Sequence, residues 1–142
     1  MTRIVELWRA GEVPIECGLF RADGTGREAA DCDSSNLTGY GLGGALDLDA
    51  LLAEDPEWTT GADVFAEAEL PDGAGHLCSG GGSHGSDGFF ARLDADRNLV
   101  WVVHLLANEF VRIDVEWPLA TFTNNRDNTL TIDLTDPEYA AP

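Results

Sequence analysis

The chain has 142 residues, the length of one domain built on one ordinary core. A hydrophobic content of 44% and a charged content of 24% are those of a globular protein rather than a disordered one. The charge is lopsided: 26 acids stand against 8 bases, every base is arginine, and the formal net charge is −18.

That balance excludes several classes. Phosphate contacts need clustered Lys and Arg, so direct nucleic-acid binding is not expected. An anionic membrane surface would repel the chain, and no run of apolar residues is long enough to span a bilayer. The run Met1-Thr2-Arg3-Ile4-Val5-Glu6 has a base but no apolar stretch behind it, so no secretory signal is expected. Cys17, Cys32 and Cys78 are odd in number and widely spaced, which suits a reducing cytoplasm and leaves a single Cys17–Cys32 bridge open.

In chain order, Ile4 to Arg9 and Pro14 to Arg21 read as a strand pair about Ala10-Gly11-Glu12. Residues 22–44 are rich in Gly, Asp, Ser and Asn and read as a long loop. A helix is expected at 48–55. Asp47 can cap it, Asp49 sits in its first turn, Leu48, Leu51 and Leu52 share a face, and Pro56 ends it.

Residues 62–70 alternate, with Val64, Ala66, Ala68 and Leu70 on one side and Asp63, Glu67 and Glu69 on the other, which is a half-buried strand. Pro71-Asp72-Gly73 is a turn. Residues 89–94 form the next strand, and 94–98 carry turn chemistry. The unbroken apolar run 99–106 reads as a strand buried on both faces. Residues 110–117 resume alternation, with Val111, Ile113, Val115 and Trp117 expected inward and Phe110, Arg112, Asp114 and Glu116 outward. A short strand at 119–123, a turn at 124–128, and a strand at 129–134 follow, and the tail 136–142 is expected to be loose.

Short turns between successive strands permit only antiparallel pairing. The fold expected is therefore mainly β, an antiparallel meander forming a sandwich or a strongly curved sheet, with one short helix near 48–55. An α+β arrangement is the alternative. The expected core includes Val64, Leu70, Phe89, Leu93, Val100, Val102, Val111, Ile113, Val115, Leu130 and Ile132.

Chemistry-bearing patterns are few. Gly81-Gly82-Ser83-His84-Gly85 matches the spacing of a nucleophile elbow, which needs a strand, a sharp turn and a helix. Here a strand follows, so a glycine-rich strand connection is the expectation and Ser83 is given no hydrolytic role. The same loop lacks the Lys of a phosphate cradle. His76, Cys78, His84 and Asp87 form a mixed set that zinc would accept, against which stands the absence of a Cys-x-x-Cys pair. Asp94-x-Asp96-x-Asn98 opens like a calcium loop, but Leu99 and Leu105 stand where that loop needs Gly and Glu, so a polar hairpin turn is expected. The Asp31–Asn36 stretch likewise reads as loop. No catalytic set, metal or cofactor is assigned.

Of the four tryptophans, Trp101 and Trp117 are expected in the core and Trp58 at the surface. Asp47, Asp49, Glu54, Asp55 and Glu57 surround the expected helix with Trp58 at its end. An aromatic among acids has the composition of a protein-binding hot spot. In size, charge and lack of a catalytic set, the chain resembles small acidic cytoplasmic immunity and inhibitor proteins of bacterial toxin systems. That resemblance implies stoichiometric binding of a basic partner protein, such as a toxin domain, and carries over no residues; the expected contact surface is the acids and Trp58 around the helix, read from composition. The alternative is a salt-adapted small β-domain of unrelated function, a ligand-binding module or an enzyme, in which the acids serve solubility in salt.

Overall fold

The computed structural model describes residues 1–30, 41–83 and 86–136. The architecture is mainly β and antiparallel, as expected. Strands β2 (Gly18–Arg21), β3 (Gly26–Ala30), β4 (Gly41–Ala45), β6 (Asp63–Glu69), β7 (His76–Gly81), β8 (Gly88–Leu93) and β9 (Leu99–Leu105) form a seven-stranded sheet in the order β4-β3-β2-β9-β8-β7-β6. Strands β10 (Phe110–Glu116), β11 (Leu119–Asn124) and β12 (Thr129–Asp133) form a separate three-stranded meander. Strands β1 (Glu12–Pro14) and β5 (Thr59–Gly61) pair with each other. Two short helices, α1 (Arg3–Arg9) and α2 (Leu48–Glu54), and a single 3-10 turn at Pro71–Gly73, where a turn was expected, complete the described elements.

Helix α2 forms where the sequence predicts it. Its cap is Asp47, whose side chain accepts from the Ala50 N–H at 3.1 Å, and Leu48 and Leu52 turn inward. The turn chemistry also holds. Asp94 Oδ1 accepts from the backbone N–H groups of Asp96 and Asn98, and Asn124 Oδ1 accepts from those of Arg126 and Asn128. The Asn98 N–H bond helps hold the Asp94 carboxyl below its ordinary value.

Two layers of apolar side chains replace the single core that length suggested, because both faces of the large sheet are covered. On one face Leu77, Phe90, Trp101, Val103 and Leu105 meet Phe110, Phe122, Leu130 and Ile132 of the small sheet region. On the other, Phe20, Cys78, Phe89 and Val102 meet Ile4, Leu7, Leu48 and Leu52 of the helices. The unbroken apolar run of β9 serves both layers.

Several expectations are corrected. Residues 4–9 are helical, since Ile4 and Leu7 lie on one helical face and both are buried. Strand β1 consequently pairs with β5 rather than with that segment. The 22–44 segment contains β3 and β4 in place of a continuous loop. One of its glycines serves close packing: a Cβ on Gly26 would lie 2.9 Å from the Leu46 carbonyl oxygen. The expected loose tail from 137 onward lies outside the described residues, as do residues 31–40.

Among the expected core, Val64, Val100 and Val111 are exposed, and so is Trp117. Two bulges account for Val64 and Val111. The register of β6 on β7 shifts between Val64 and Ala66, so Ala66, Ala68 and Leu70 face inward while Val64 does not. The register of β10 on β11 shifts between Phe110 and Arg112. Phe110 is thereby fully buried together with half-buried Ile113 and Val115, and Val111 turns out. Trp117 leaves the core at the cis Trp117–Pro118 bond that joins β10 to β11.

Candidate functional site

The segment 47–58 joins β4 to β5 and holds α2. Its apolar side is used by the core, since Leu48 and Leu52 are buried against the helix-side layer. The other side is left to solvent: Asp47, Asp49, Glu54, Asp55, Glu57 and Trp58 are all exposed. Asp47 and Asp55 also hold the backbone, Asp47 as the helix cap and Asp55 Oδ1 by accepting from the Glu57 N–H at 3.1 Å. The Trp58 backbone is pinned on both sides. Its N–H donates to the Asp55 carbonyl and its own carbonyl accepts from the Ile15 N–H. Its indole is 39% exposed.

Clefts flank α2 on two sides. One of about 290 Å³ has a floor of Ala45, Leu46, Ala50 and Leu51, and among the described residues its charged lining groups are Glu28, Asp47 and Glu54. The other, of about 470 Å³, is lined among the described residues by Glu6, Asp23 and Asp49, by Met1, and by Arg3, which is already paired to Glu6 at 3.3 Å. An apolar floor with a carboxylate rim suits the stem and head of an Arg or Lys side chain. The structure thus presents all six sequence-derived residues at the surface, distributed around α2 rather than on one face.

The glycine-rich connection is a strand-to-strand link from β7 to β8, without the helix that a nucleophile elbow requires. Ser83 is exposed, and its backbone N–H donates to Thr60 Oγ1 at 2.8 Å. Gly82 is needed for contact: a Cβ there would lie 2.0 Å from Asp87 Oδ2 and 2.8 Å from Thr60 Oγ1. His84 lies outside the described residues. Among the described residues no group of three His, Cys, Asp or Glu side chains gathers as a metal site.

The structure joins two residues that the sequence reading kept apart. Asp87 and His104 are each 1% exposed, and His104 Nε2 lies 3.0 Å from Asp87 Oδ2. With Asp87 ionised the carboxylate only accepts, and Nε2 is then the donor in this bond. The pairing follows from β8–β9 register, which sets His104 opposite Phe89 and brings Asp87 in at the strand's start. Counting outward from the 94–98 turn gives nearly that register. A histidine in a strand buried on both faces also requires a polar partner nearby. Those two signals together point to Asp87.

The cysteines divide. Cys17 is disulfide-bonded, Cys78 is a free and buried thiol, and Cys32 lies outside the described residues. The odd cysteine count is therefore no argument for a reducing compartment. Burial, reinforced by Glu67 and opposed by Arg97, pushes the Cys78 thiol from 9.0 up to about 12. A raised thiol value favours the folded state fully below 9.0, and that contribution is lost as pH rises toward about 12. Iodoacetamide at neutral pH should leave Cys78 unmodified in the folded chain and alkylate it in denaturant, read by intact mass. Modification without denaturant would mean that the helix layer opens readily over β7.

Among the described residues no helix is long and apolar enough to cross a membrane. Comparison with family models, with curated proteins and with solved structures finds no match.

Proposed function

We propose that the protein is a stoichiometric binder of a basic partner protein, an immunity-type inhibitor that engages a toxin domain through the surface around α2. The observation that carries this reading is the 47–58 segment. It offers five exposed carboxylates and an exposed indole with no base among them, on a helix whose apolar side is already taken by the core. The net charge of −18 extends the same bias over the whole molecule and favours rapid capture of a cationic surface. Binding is favoured over catalysis because the Asp87–His104 pair, the arrangement nearest to an acid–base dyad among the described residues, is closed to solvent.

The test is a panel of basic nuclease domains, each assayed for inhibition by the full chain. We expect one-to-one inhibition of at least one domain, with an association rate above the neutral range of about 10⁵–10⁶ M⁻¹s⁻¹. Neutralising Asp49→Asn, Glu54→Gln and Glu57→Gln together should slow association about tenfold or more while leaving dissociation nearly unchanged, because steering acts before contact. Inhibition with an unchanged association rate would move the interface off α2. Inhibition of none of the domains would overturn the reading.

A further inference from the structure

The large sheet ends on β6 and the small sheet on β10, and these two edges open on one side of the sandwich. Two approaches align them. Gly81, opposite Asp63 at the start of β6, lies against the side chain of Glu109 just before β10. At the other end, Glu69 and Leu70 line a cleft of about 580 Å³ together with Val115 and Trp117. The edges therefore run side by side in the same direction, and no β-ladder joins them.

Eight large apolar side chains are exposed among the described residues, and four lie on these two edge strands or just beyond them: Val64 at 46%, Phe65 at 53%, Val111 at 42% and Trp117 at 45%. The bulges of β6 and β10 leave Val64 and Val111 outside, where plain alternation would bury them. Edge strands are usually blunted by charge or proline, not dressed with aromatic and branched apolar groups. The charge beside this apolar line is negative on balance. Arg97 is bound to Glu67 and Arg112 to Asp114, and Arg92 lies 5.8 Å from the Trp117 ring with its guanidinium donating to the Leu134 and Ala74 carbonyls, while Glu69 and Asp72 rim the cleft and Asp63 and Glu116 are exposed on the two strands. A second copy would bring the same acids against these and be repelled. A cationic partner would not.

We propose that this seam docks an extended segment of a basic partner protein in which apolar residues alternate with Arg or Lys. The apolar residues cover Val64, Phe65, Val111 and Trp117, and the bases face the flanking carboxylates. The proposal rests on the reading that the charge selects a basic partner, but it names a surface apart from α2, whose clefts adjoin β3 and the N-terminal helix.

The probe is a synthetic peptide alternating arginine and valine, titrated into the full chain by calorimetry and backbone NMR at about 0.1 M salt. Three proteins are compared: wild type, Phe65→Ser with Val111→Thr, and the α2 triple variant Asp49→Asn, Glu54→Gln, Glu57→Gln. The seam positions are exposed, so that variant should melt with wild type. We expect amide shifts centred on β6 and β10, affinity weakened at least about tenfold in the seam variant, and affinity weakened by no more than about twofold in the α2 variant. Equal affinity in the seam variant, or no binding to wild type, would overturn the proposal. Loss in the α2 variant alone would remove the seam and leave the basic-partner reading standing. Self-association of wild type that Phe65→Ser abolishes, seen by sedimentation, would make the occupant a second copy and overturn the proposal too. Peptide binding on the seam with no nuclease domain inhibited would retain the seam and discard the inhibitor role.

Discussion

Replacing Phe90 by Ala should destabilise the fold by about 3–5 kcal/mol, a large share of the 5–15 kcal/mol typical of a domain. Phe90 is fully buried and sits where the two sheets meet. Its ring stacks on Phe122 at 4.2 Å and meets Phe110 and Trp101 edge-on at 5.4 and 6.2 Å. Truncation removes the transfer contribution of the ring and leaves a cavity bounded by rings from both sheets, which cannot collapse without moving a whole strand. The melting temperature should fall by roughly 10 °C or more, whereas Val111→Ala at the exposed edge should change stability by less than about 0.5 kcal/mol. Chemical denaturation of both variants checks this. A loss below about 1 kcal/mol at Phe90 would mean that the small sheet is not packed on the large one.

His104→Leu should also destabilise by about 3–5 kcal/mol, although leucine is the more apolar residue in an apolar strand. The reason is the partner. Asp87 is buried to 1%, and the substitution removes the imidazole N–H that its Oδ2 accepts at 3.0 Å. A buried carboxylate that loses this one of its partners suffers a desolvation penalty that added methyl groups do not offset. His104→Gln, whose amide N–H can reach the same oxygen, should cost about half as much or less. The order matters more than either value. If Leu were as stable as Gln, the bond would contribute nothing, and the pair would be a tolerated accident of packing.

The parts of this fold legible from residues are those governed by neighbours in the chain. Asp47 as a cap, Pro56 as a stop and Leu48 with Leu52 on one face are satisfied within a few residues, so α2 was readable to within a residue. The Asp94 and Asn124 turns close on their own backbone, and the β-branched run of β9 has no use except in a covered sheet. The exposure of the acids around α2 was legible too, because a carboxylate without a partner stays in water.

What failed depends on partners distant in sequence. Ile4 to Arg9 carries apolar residues that fit a short helix as well as a strand, and packing against the large sheet decided for the helix. The glycines of 22–44 read as loop, yet Gly26 is a place where the Leu46 carbonyl must come close. The two bulges are set by strand pairing, and each shifts by one residue the face that alternation assigns.

By itself the sequence determined the antiparallel β class, the place and cap of α2, the turns, and the net charge of −18. Only the tertiary structure decided that Asp87 meets His104, that Phe110 is buried in place of Val111, and that two edge strands leave an apolar seam. The physical reason is the range of the forces involved. Capping, turn closure and net charge are properties of adjacent or summed residues, whereas burial and pairing across a sheet depend on a register that strands far apart in the chain set together.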